Sequence, residues 1–271
     1  MNFSINVQLG VWLDDLRLPL KQAMQLIAPL RVEAIGIDAF GNEVSPRALG
    51  ASARRDLAQF IRSRGAALSA LRVDVGGRRL ADAQTLDVNL ARIREALQLA
   101  SDLGASHLVV AGGFIPPVAE KENASARATL TEAARTLVNL ASVARTRIAW
   151  LGGQEAPEVL ADFLQQVDSS AILEVDLNPG AYVMRGLDPL KALGTLSSRV
   201  AIARAADHYR GGAEAPFGAG DVRWNEVLIG LSTLNRPAPL PVLGSTTLEG
   251  DRAQALANTF KRLLALRKKP V

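Results

Sequence analysis

The sequence has no cysteine among its 271 residues, only two histidines, and few aromatic residues, at 4%. Without cysteine, it cannot form a disulfide framework, a thiolate metal site or a cysteine nucleophile. No apolar run approaches the roughly 18 residues that a membrane span needs. The N-terminus, MNFSINVQLGVWLDD, lacks the basic and apolar regions of a signal peptide. We therefore expect a cytoplasmic protein that makes no contact with a membrane.

The charge is only weakly one-sided, with a net charge of +4 and a pI near 9.7. Such a balance allows an anionic partner, such as a sugar phosphate or a nucleic acid. The basic residues, however, are scattered over predicted helix faces and do not form a block, which is typical of a solvated surface. We expect no nucleic-acid partner. The oligomeric state stays open, with a homodimer as one option.

Eight short apolar runs alternate with longer segments of helical period. The spacing of Leu90, Ile93, Leu97 and Ala100 builds one apolar stripe, as in an amphipathic helix. The runs, which predict strands, are 5–9, 32–37, 67–73, 107–111, 147–151, 171–177, 199–206 and 239–244.

Helix boundaries carry their usual signals. Three sites place a capping residue before a predicted helix: Ser45-Pro46, Asp188-Pro189 and Asp221. Gly65 and Gly104 follow helical segments, where a left-handed cap is expected.

Strand–helix alternation predicts parallel strands joined by crossover helices. Eight such units in this length match an α/β fold, a closed (β/α)8 TIM barrel. A doubly wound open sheet is the alternative, but it would usually show a glycine-rich dinucleotide loop after the first strand. The first strand instead runs into Gly10-Val11-Trp12-Leu13. No long linker divides the chain, so we predict a single domain over 1–271.

In such a barrel the chemistry lies at the carboxyl ends of the strands. The sixth run, AILEVDL, places Glu174 and Asp176 at alternate positions, followed by Asn178. Alternate residues share one face of a strand, and buried carboxylates are costly unless something requires them. The catalytic candidates are Glu174, Asp176, Arg204, Asp207 and His208, and the ligand-binding candidates are Asp38, Arg72, Gln154, Asn178, Arg204 and Ser245.

The two histidines differ in position. His107 begins the fourth predicted strand, on the face where residues serve stability, and a structural role is expected there. His208 follows the seventh strand on the catalytic side, where a ligand or base and a solvent-facing loop residue are equal alternatives.

The second half of the chain resembles the xylose isomerase-like barrels, a superfamily that includes sugar phosphate isomerases and epimerases. The resemblance is carried by IAWLGGQEAPEVLADFL, VDLNPGAYVMRGLDPLKAL, RVAIARAADH and APFGAGDVRWNEVLIGL. The run from Gly218 to Trp224 is similar to the turn that opens helix seven in that family. We expect Gly218 to Asp221 to shape this turn and not primarily to bind phosphate.

The resemblance implies a divalent cation, Mn, Mg or Zn, held by two glutamates, an aspartate and a histidine. Such a cation polarises a sugar carbonyl. In the sequence alignment that the resemblance implies, these positions fall on Leu151, Asn178, Arg204 and Leu243. Glu155 and Glu249 are the nearest acids, and both are expected beyond the rim. We therefore predict no metal and no cofactor.

Three functions follow from these positions. One is a barrel that has lost its cation and binds a small sugar-like or polar ligand, as a pseudoenzyme. The alternative is an active sugar isomerase or epimerase that works without a metal or with a rearranged site. The superfamily that the sequence resembles also includes, more distantly, a DNA-repair endonuclease. That function is disfavoured, because its chemistry needs several zinc ions and two histidines cannot hold them. We also predict that Arg204 points into the barrel mouth and pairs with Asp176, Glu174 or Asp207, and that it could hold an acidic or phosphorylated molecule.

Overall fold

The computed structural model describes residues 5–41, 43–75, 79–117 and 123–268. Within these ranges, eight parallel strands close into a barrel, in the order β1-β10-β7-β6-β5-β4-β3-β2. The barrel strands are β1 (Val7–Trp12), β2 (Ala34–Asp38), β3 (Ala67–Val73), β4 (His107–Val110), β5 (Arg147–Leu151), β6 (Leu173–Leu177), β7 (Val200–Ala205) and β10 (Leu240–Gly244). The predicted closed barrel is confirmed, and the open sheet is excluded.

Helices cover the outside of the barrel. They are α1 (Leu20–Ile27), α2 (Ala51–Ser63), α3 (Leu86–Leu103), α4 (Ala124–Ala144), α5 (Pro157–Val167), α6 (Pro179–Met184), α7 (Pro189–Leu196), α8 (Trp224–Ser232) and α9 (Arg252–Arg267). A short antiparallel pair, β8 (Asp207–His208) with β9 (Glu214–Ala215), follows β7. None of the helices in the described ranges is long and apolar enough to cross a membrane.

The strands carry a core on each face. Outward side chains such as Leu9, Ile35 and Val175 pack under the helices in the larger cluster. The inward cluster is smaller and is made of Trp12, Ala34, Ala70, Val109, Ala149, Ala201, Ile202 and Leu243, with Leu151 against it. Half of these eight inward residues are alanine, and Trp12 is the largest side chain among them.

Several predicted boundaries are confirmed. Asp188 caps α7 by accepting a hydrogen bond from the Leu190 amide at 2.9 Å. Gly65 and Gly104 adopt left-handed φ values of 77° and 75° after α2 and α3. Asp188 and these glycines lie at chain reversals, where local chemistry alone decides the conformation.

Two predicted helix starts are wrong. Ser45-Pro46 opens only an isolated turn, in which the Ser45 carbonyl accepts the Leu49 amide at 3.1 Å. Gly50 is extended at the N-cap of α2, so the helix begins at Ala51. Asp221 does not cap α8, because its carboxylate accepts the Arg210 amide at 2.7 Å.

Candidate functional site at the barrel mouth

Trp12 is the largest side chain inside the barrel. It is fully buried at the end of β1, on the same strand face as Gln8 and Gly10. A Cβ atom on Gly36 of the neighbouring β2 would lie 2.3 Å from Trp12 Cε3. Glycine at position 36 is therefore what leaves room for the indole.

Two guanidinium groups lie over the Trp12 ring. The Arg72 guanidinium carbon is 4.8 Å from the ring centroid, and that of Arg204 is 5.4 Å away. Cations at this distance from an indole face are attracted by the ring quadrupole. Trp12 thus positions one arginine from β3 and another from β7 at the carboxyl end of the barrel.

Arg204 forms the predicted ion pair with Asp176. Nη2 of Arg204 donates to Oδ2 of Asp176 at 2.7 Å. The side chain of Asp176 is 0% exposed and that of Arg204 is 11% exposed. Strands β6 and β7 are hydrogen-bonded neighbours, which brings the two residues together across the barrel interior.

The ion pair leaves two buried polar atoms without a protein partner in the described part of the chain. These are Oδ1 of Asp176 and Nε of Arg204. Buried polar atoms almost always have a hydrogen-bond partner, from protein, water or a ligand. The pair therefore retains one strong acceptor and one strong donor for such a group.

Arg72 is held by two carboxylates. Nε donates to Asp38 at 2.6 Å, and Nη2 donates to Asp15 at 3.0 Å. Burial lowers the pKa of the Arg72 guanidinium, but Asp15 and Asp38 outweigh this and the net shift is upward. Asp15 in turn accepts the Ser245 hydroxyl at 2.6 Å. Ser245 is therefore engaged in orienting an acid at the mouth.

A third acid, Asp14, lies beside Asp38 at the same rim. Its Oδ2 accepts the Asp38 amide at 2.7 Å. Burial raises the pKa of Asp14 to about 6, and the amide of Asp38 partly offsets the rise. Together with Asp15 and Asp38, it leaves the Arg72 side of the mouth with more acid than base at neutral pH.

The prediction that Glu174 could pair with Arg204 is wrong. Glu174 lies at the amino end of β6, where Oε2 contacts Nε2 of His107 at 2.8 Å and Oε1 accepts Nη1 of Arg236 at 2.7 Å. Glu174 and Asp176 share a strand face, but a step of two residues places them about 6.6 Å apart along the strand. The two carboxylates therefore serve opposite ends of the barrel.

Asp207 organises the turn before α8. Its carboxylate accepts the amides of Gly218 at 2.8 Å and Val222 at 3.3 Å. A Cβ on Gly220 would lie 2.3 Å from Oδ1 of Asp207, so this close approach requires glycine. Since the Gly218 and Val222 amides are occupied by Asp207, the geometry favours the expected packing role of this turn over phosphate binding.

The remaining candidates lie around the rim. Asn178 is half-buried, and its Oδ1 accepts the Ala181 amide at 3.1 Å as the N-cap of α6. His208 is half-buried on β8, with Nδ1 close to Gly180. Gln154 is half-buried in the loop between β5 and α5. The side-chain oxygen of Asn178 is thus used as a helix cap.

Glu155, which was expected beyond the rim, lies outside the mouth but is buried. Glu155 is 4% exposed. Within the described residues, both of its carboxylate oxygens and the Tyr182 hydroxyl are buried without a hydrogen-bond partner. Burial raises the pKa of Glu155 to about 8, and Arg185 only partly opposes this. Tyr182 belongs to the core under the helices, so Glu155 does not complete the mouth.

The residues at the four implied ligand positions do not form a ligand set for a divalent cation. Leu151 and Leu243 line the interior at two of the implied ligand positions, and Arg204 occupies a third as the ion-pair partner of Asp176. Asn178 uses its side-chain oxygen for capping. Among the residues that the structure describes, no three His, Asp or Glu side chains converge on a possible metal position.

Three mouth residues were not predicted from the sequence: Trp12, Asp14 and Asp15. The predicted first strand ended at Leu9, whereas β1 continues to Trp12. The alternation of Gln8, Gly10 and Trp12 could have revealed that the indole points inward. Asp15 follows the strand end directly enough that the Asp14-Asp15 pair was a detectable signal.

Comparison with known proteins gives a clear likeness in structure only. No protein-family model matches the chain, and no curated protein matches it. A xylose isomerase domain protein from Planctomyces limnophilus superposes with a TM-score of 0.83 at 19% identity, covering 98% of this chain and 99% of that one. IOLI protein, solved with a binding zinc atom, has a TM-score of 0.79 at 14% identity, with 98% and 99% covered.

A third neighbour is D-psicose 3-epimerase from Clostridium cellulolyticum H10, solved with D-tagatose. Its TM-score is 0.76 at 12% identity, and 97% of this chain and all of that one are covered. Two of these neighbours carry the names of the xylose isomerase and sugar epimerase groups that the second half of the sequence resembles. At such identities the shared feature is the fold.

Proposed function

We propose that the barrel mouth binds a small, neutral, sugar-like ligand directly, with the Asp176–Arg204 ion pair in place of a divalent cation. The observation that carries the proposal is the pair itself, which is buried and leaves Oδ1 of Asp176 and Nε of Arg204 without a partner among the described residues. A hydroxyl group both donates and accepts hydrogen bonds, so a polyol can satisfy a carboxylate and a guanidinium together.

The charge around the mouth supports a neutral ligand over a phosphorylated one. Arg204 is balanced by Asp176, and Arg72 contacts both Asp15 and Asp38. In these contacts three acids face two arginines. An added phosphate would therefore meet an uncompensated carboxylate. This argues against the acidic or phosphorylated molecule that Arg204 alone suggested.

The test is calorimetric titration of protein treated with EDTA. We expect at least one of D-tagatose, D-xylose and myo-inositol to bind without added metal, and Asp176→Asn to weaken that binding by about tenfold because a charged hydrogen bond is lost. The matched control is Asp188→Asn, the same change at a half-exposed acid that caps α7 and, in the described part of the chain, makes no hydrogen bond or ion pair with Asp176 or Arg204. Binding that appears only after Mn²⁺ is restored would contradict the proposal.

Elemental analysis of the purified protein provides an independent check. We expect no stoichiometric divalent cation after desalting, because leucine offers no ligand atom and the Arg204 guanidinium repels a cation. About one equivalent of Mn, Zn or Mg retained through desalting would instead indicate a rearranged metal site.

A metal-free isomerase or epimerase is the second candidate, favoured by the unpartnered Oδ1 of Asp176. A carboxylate oxygen free to accept a proton can act as a general base, and the guanidinium can stabilise the negative charge that develops on a carbonyl oxygen. Nuclear magnetic resonance would detect deuterium uptake from D2O at the carbon beside the sugar carbonyl, with EDTA present. Incorporation in the wild type that is lost in Asp176→Asn would select this function over simple binding.

A further inference from the structure

The amino end of the barrel, here called the barrel floor, holds a second ionic cluster. Glu174 contacts His107 at 2.8 Å, Arg236 at 2.7 Å and Arg147 at 3.3 Å. The Glu174 side chain is only 5% exposed, whereas that of Arg147 is 59% exposed. The cluster therefore runs from the buried interior of the barrel to its surface.

A cavity of about 400 Å³ opens onto this cluster. Its wall includes the starts of strands and the segment 236–241, in which Pro237, Pro239 and Pro241 restrict the backbone. Ser69 and Ser106 add polar groups to the lining. A cavity of this size is in the range that small-molecule sites occupy.

The barrel floor carries more positive charge than its one carboxylate can balance. Burial raises the pKa of Glu174, but contacts with His107, Arg236 and Arg147 outweigh this, and the net shift is downward. Glu174 is therefore ionised at neutral pH, opposite two guanidinium groups. The net charge of this cluster is therefore positive, even when the His107 imidazole is neutral.

The two arginines also have donors beyond these contacts. Arg147 uses the same atom, Nη1, to reach Glu174 and the Ala171 carbonyl. Arg236 uses Nη1 for Glu174 and Nη2 for the Ser198 carbonyl, the latter at a long 3.4 Å. A guanidinium has five N–H donors in a planar fork that matches carboxylate and phosphate groups. Glu174 thus holds two guanidinium groups beside the cavity, and each group keeps further N–H donors for another partner.

We propose that the cavity at the barrel floor binds a small oxyanion, a phosphate or carboxylate group, through Arg147 and Arg236. Glu174 and His107 position the two guanidiniums and do not contact the anion. The proposal does not depend on what binds at the mouth, because the mouth lies at the other end of the barrel. The bound group comes either as a free ion or as part of a small metabolite, since both present the same oxygens.

The experiment is calorimetric titration in a buffer of low ionic strength, because salt screens such contacts. The probes are inorganic phosphate, succinate and glucose 6-phosphate. We expect phosphate to bind the wild type and to bind Arg147→Gln about tenfold more weakly, as the loss of a charged hydrogen bond predicts. Tighter binding of succinate or glucose 6-phosphate than of phosphate would identify a metabolite as the source.

The matched control is Arg94→Gln, which removes an exposed arginine from α3, away from the floor, and should leave binding unchanged. Arg236→Lys, which keeps the charge but loses the planar fork, should also weaken binding. Phosphate, succinate and glucose 6-phosphate all failing to bind at about 20 mM, a weak-millimolar limit, would overturn the proposal. Equal binding by Arg147→Gln and the wild type would overturn it as well.

Discussion

The two ends of the barrel interior each hold a buried carboxylate, but they pair it with different numbers of partners. Each end holds one carboxylate of β6, Asp176 at the mouth and Glu174 at the floor. Asp176 is fully buried and, in the part of the chain that the structure describes, has a single ion-pair partner, Arg204. Glu174 is shared by His107, Arg147 and Arg236, of which Arg147 reaches solvent. Asp176 therefore depends on one ion pair, whereas Glu174 has three charged or polar partners that can replace one another.

This difference indicates that the number of partners of a buried carboxylate decides how much stability is lost when one partner is removed. Removing the only partner of a buried charge leaves that charge uncompensated in a medium of low dielectric constant. Removing one of three partners leaves the charge paired, and the remaining groups can rearrange. The variants below test this difference at the mouth, at a buried carboxyl with no partner, and at the floor.

The largest effect is expected from Arg204→Ala. This substitution leaves Asp176 buried and unpaired and should lower the free energy of unfolding by roughly 3 kcal/mol or more. Chemical denaturation measured by circular dichroism would give the value. The control is Arg223→Ala, whose side chain is 54% exposed in its pairs with Asp188 and Glu226; there we expect less than about 0.5 kcal/mol. Equal stability of Arg204→Ala and the wild type would show that Asp176 is not a lone buried charge.

Glu155 is a carboxyl without any hydrogen-bond partner among the described residues, so its stability effect should depend on pH. Its pKa is about 8 in the folded protein against 4.5 as the ordinary value. The folded state therefore binds more protons between these values, and stability is lost as pH rises through them. Between about pH 6 and pH 9 the wild type should lose roughly 2 kcal/mol of its free energy of unfolding because Glu155 ionises. We expect Glu155→Gln to abolish that loss.

The measurement for Glu155 is a series of thermal or urea unfolding curves from acidic to alkaline pH. Glu158→Gln is the control, since Glu158 lies on the surface in a pair with Lys191. Parallel pH profiles for Glu155→Gln and the wild type would mean that Glu155 ionises in its ordinary range.

The smallest effect is expected from Arg236→Ala at the floor. Glu174 keeps its contacts with His107 and Arg147, so the loss should be about 1 kcal/mol, the value of a hydrogen bond with partial compensation. Urea unfolding of Arg236→Ala beside Arg204→Ala is the direct comparison of the two ends. A loss as large as that of Arg204→Ala would show that the floor is not redundant.

The fold was accessible from the sequence because apolar periodicity and turn chemistry act locally. β3 and β5 occupy the predicted ranges 67–73 and 147–151. The start signals at Ser45-Pro46 and Asp221 misled because the capping side chains found other uses. Ser45 closes an isolated turn, and Asp221 holds the Arg210 amide. The turn at Ser45 reaches only Leu49, and the contact of Asp221 depends on how the loop that carries Arg210 folds back, which a capping pattern does not reveal.

The site was accessible only in part. The neighbouring strands β6 and β7 made the Asp176–Arg204 pair predictable. Alternation gives the face of a side chain but not its depth along the barrel axis, so the separation of Glu174 from the mouth was missed. Arg236 was missed because it reaches Glu174 from the segment before β10, across 62 positions of the chain. The burial of Glu155 likewise depends on how the loops pack.

The position of Trp12 gives the protein an optical probe of its own mouth. Indole emission responds to the electric field along the ring, and two guanidiniums lie over this ring. A ligand that draws Arg204 or Arg72 away changes that field and so shifts the emission wavelength. The other two tryptophans, Trp150 and Trp224, pack against phenylalanines in the outer core. With both replaced by phenylalanine, the remaining fluorescence would come from the mouth alone and would report binding without a label.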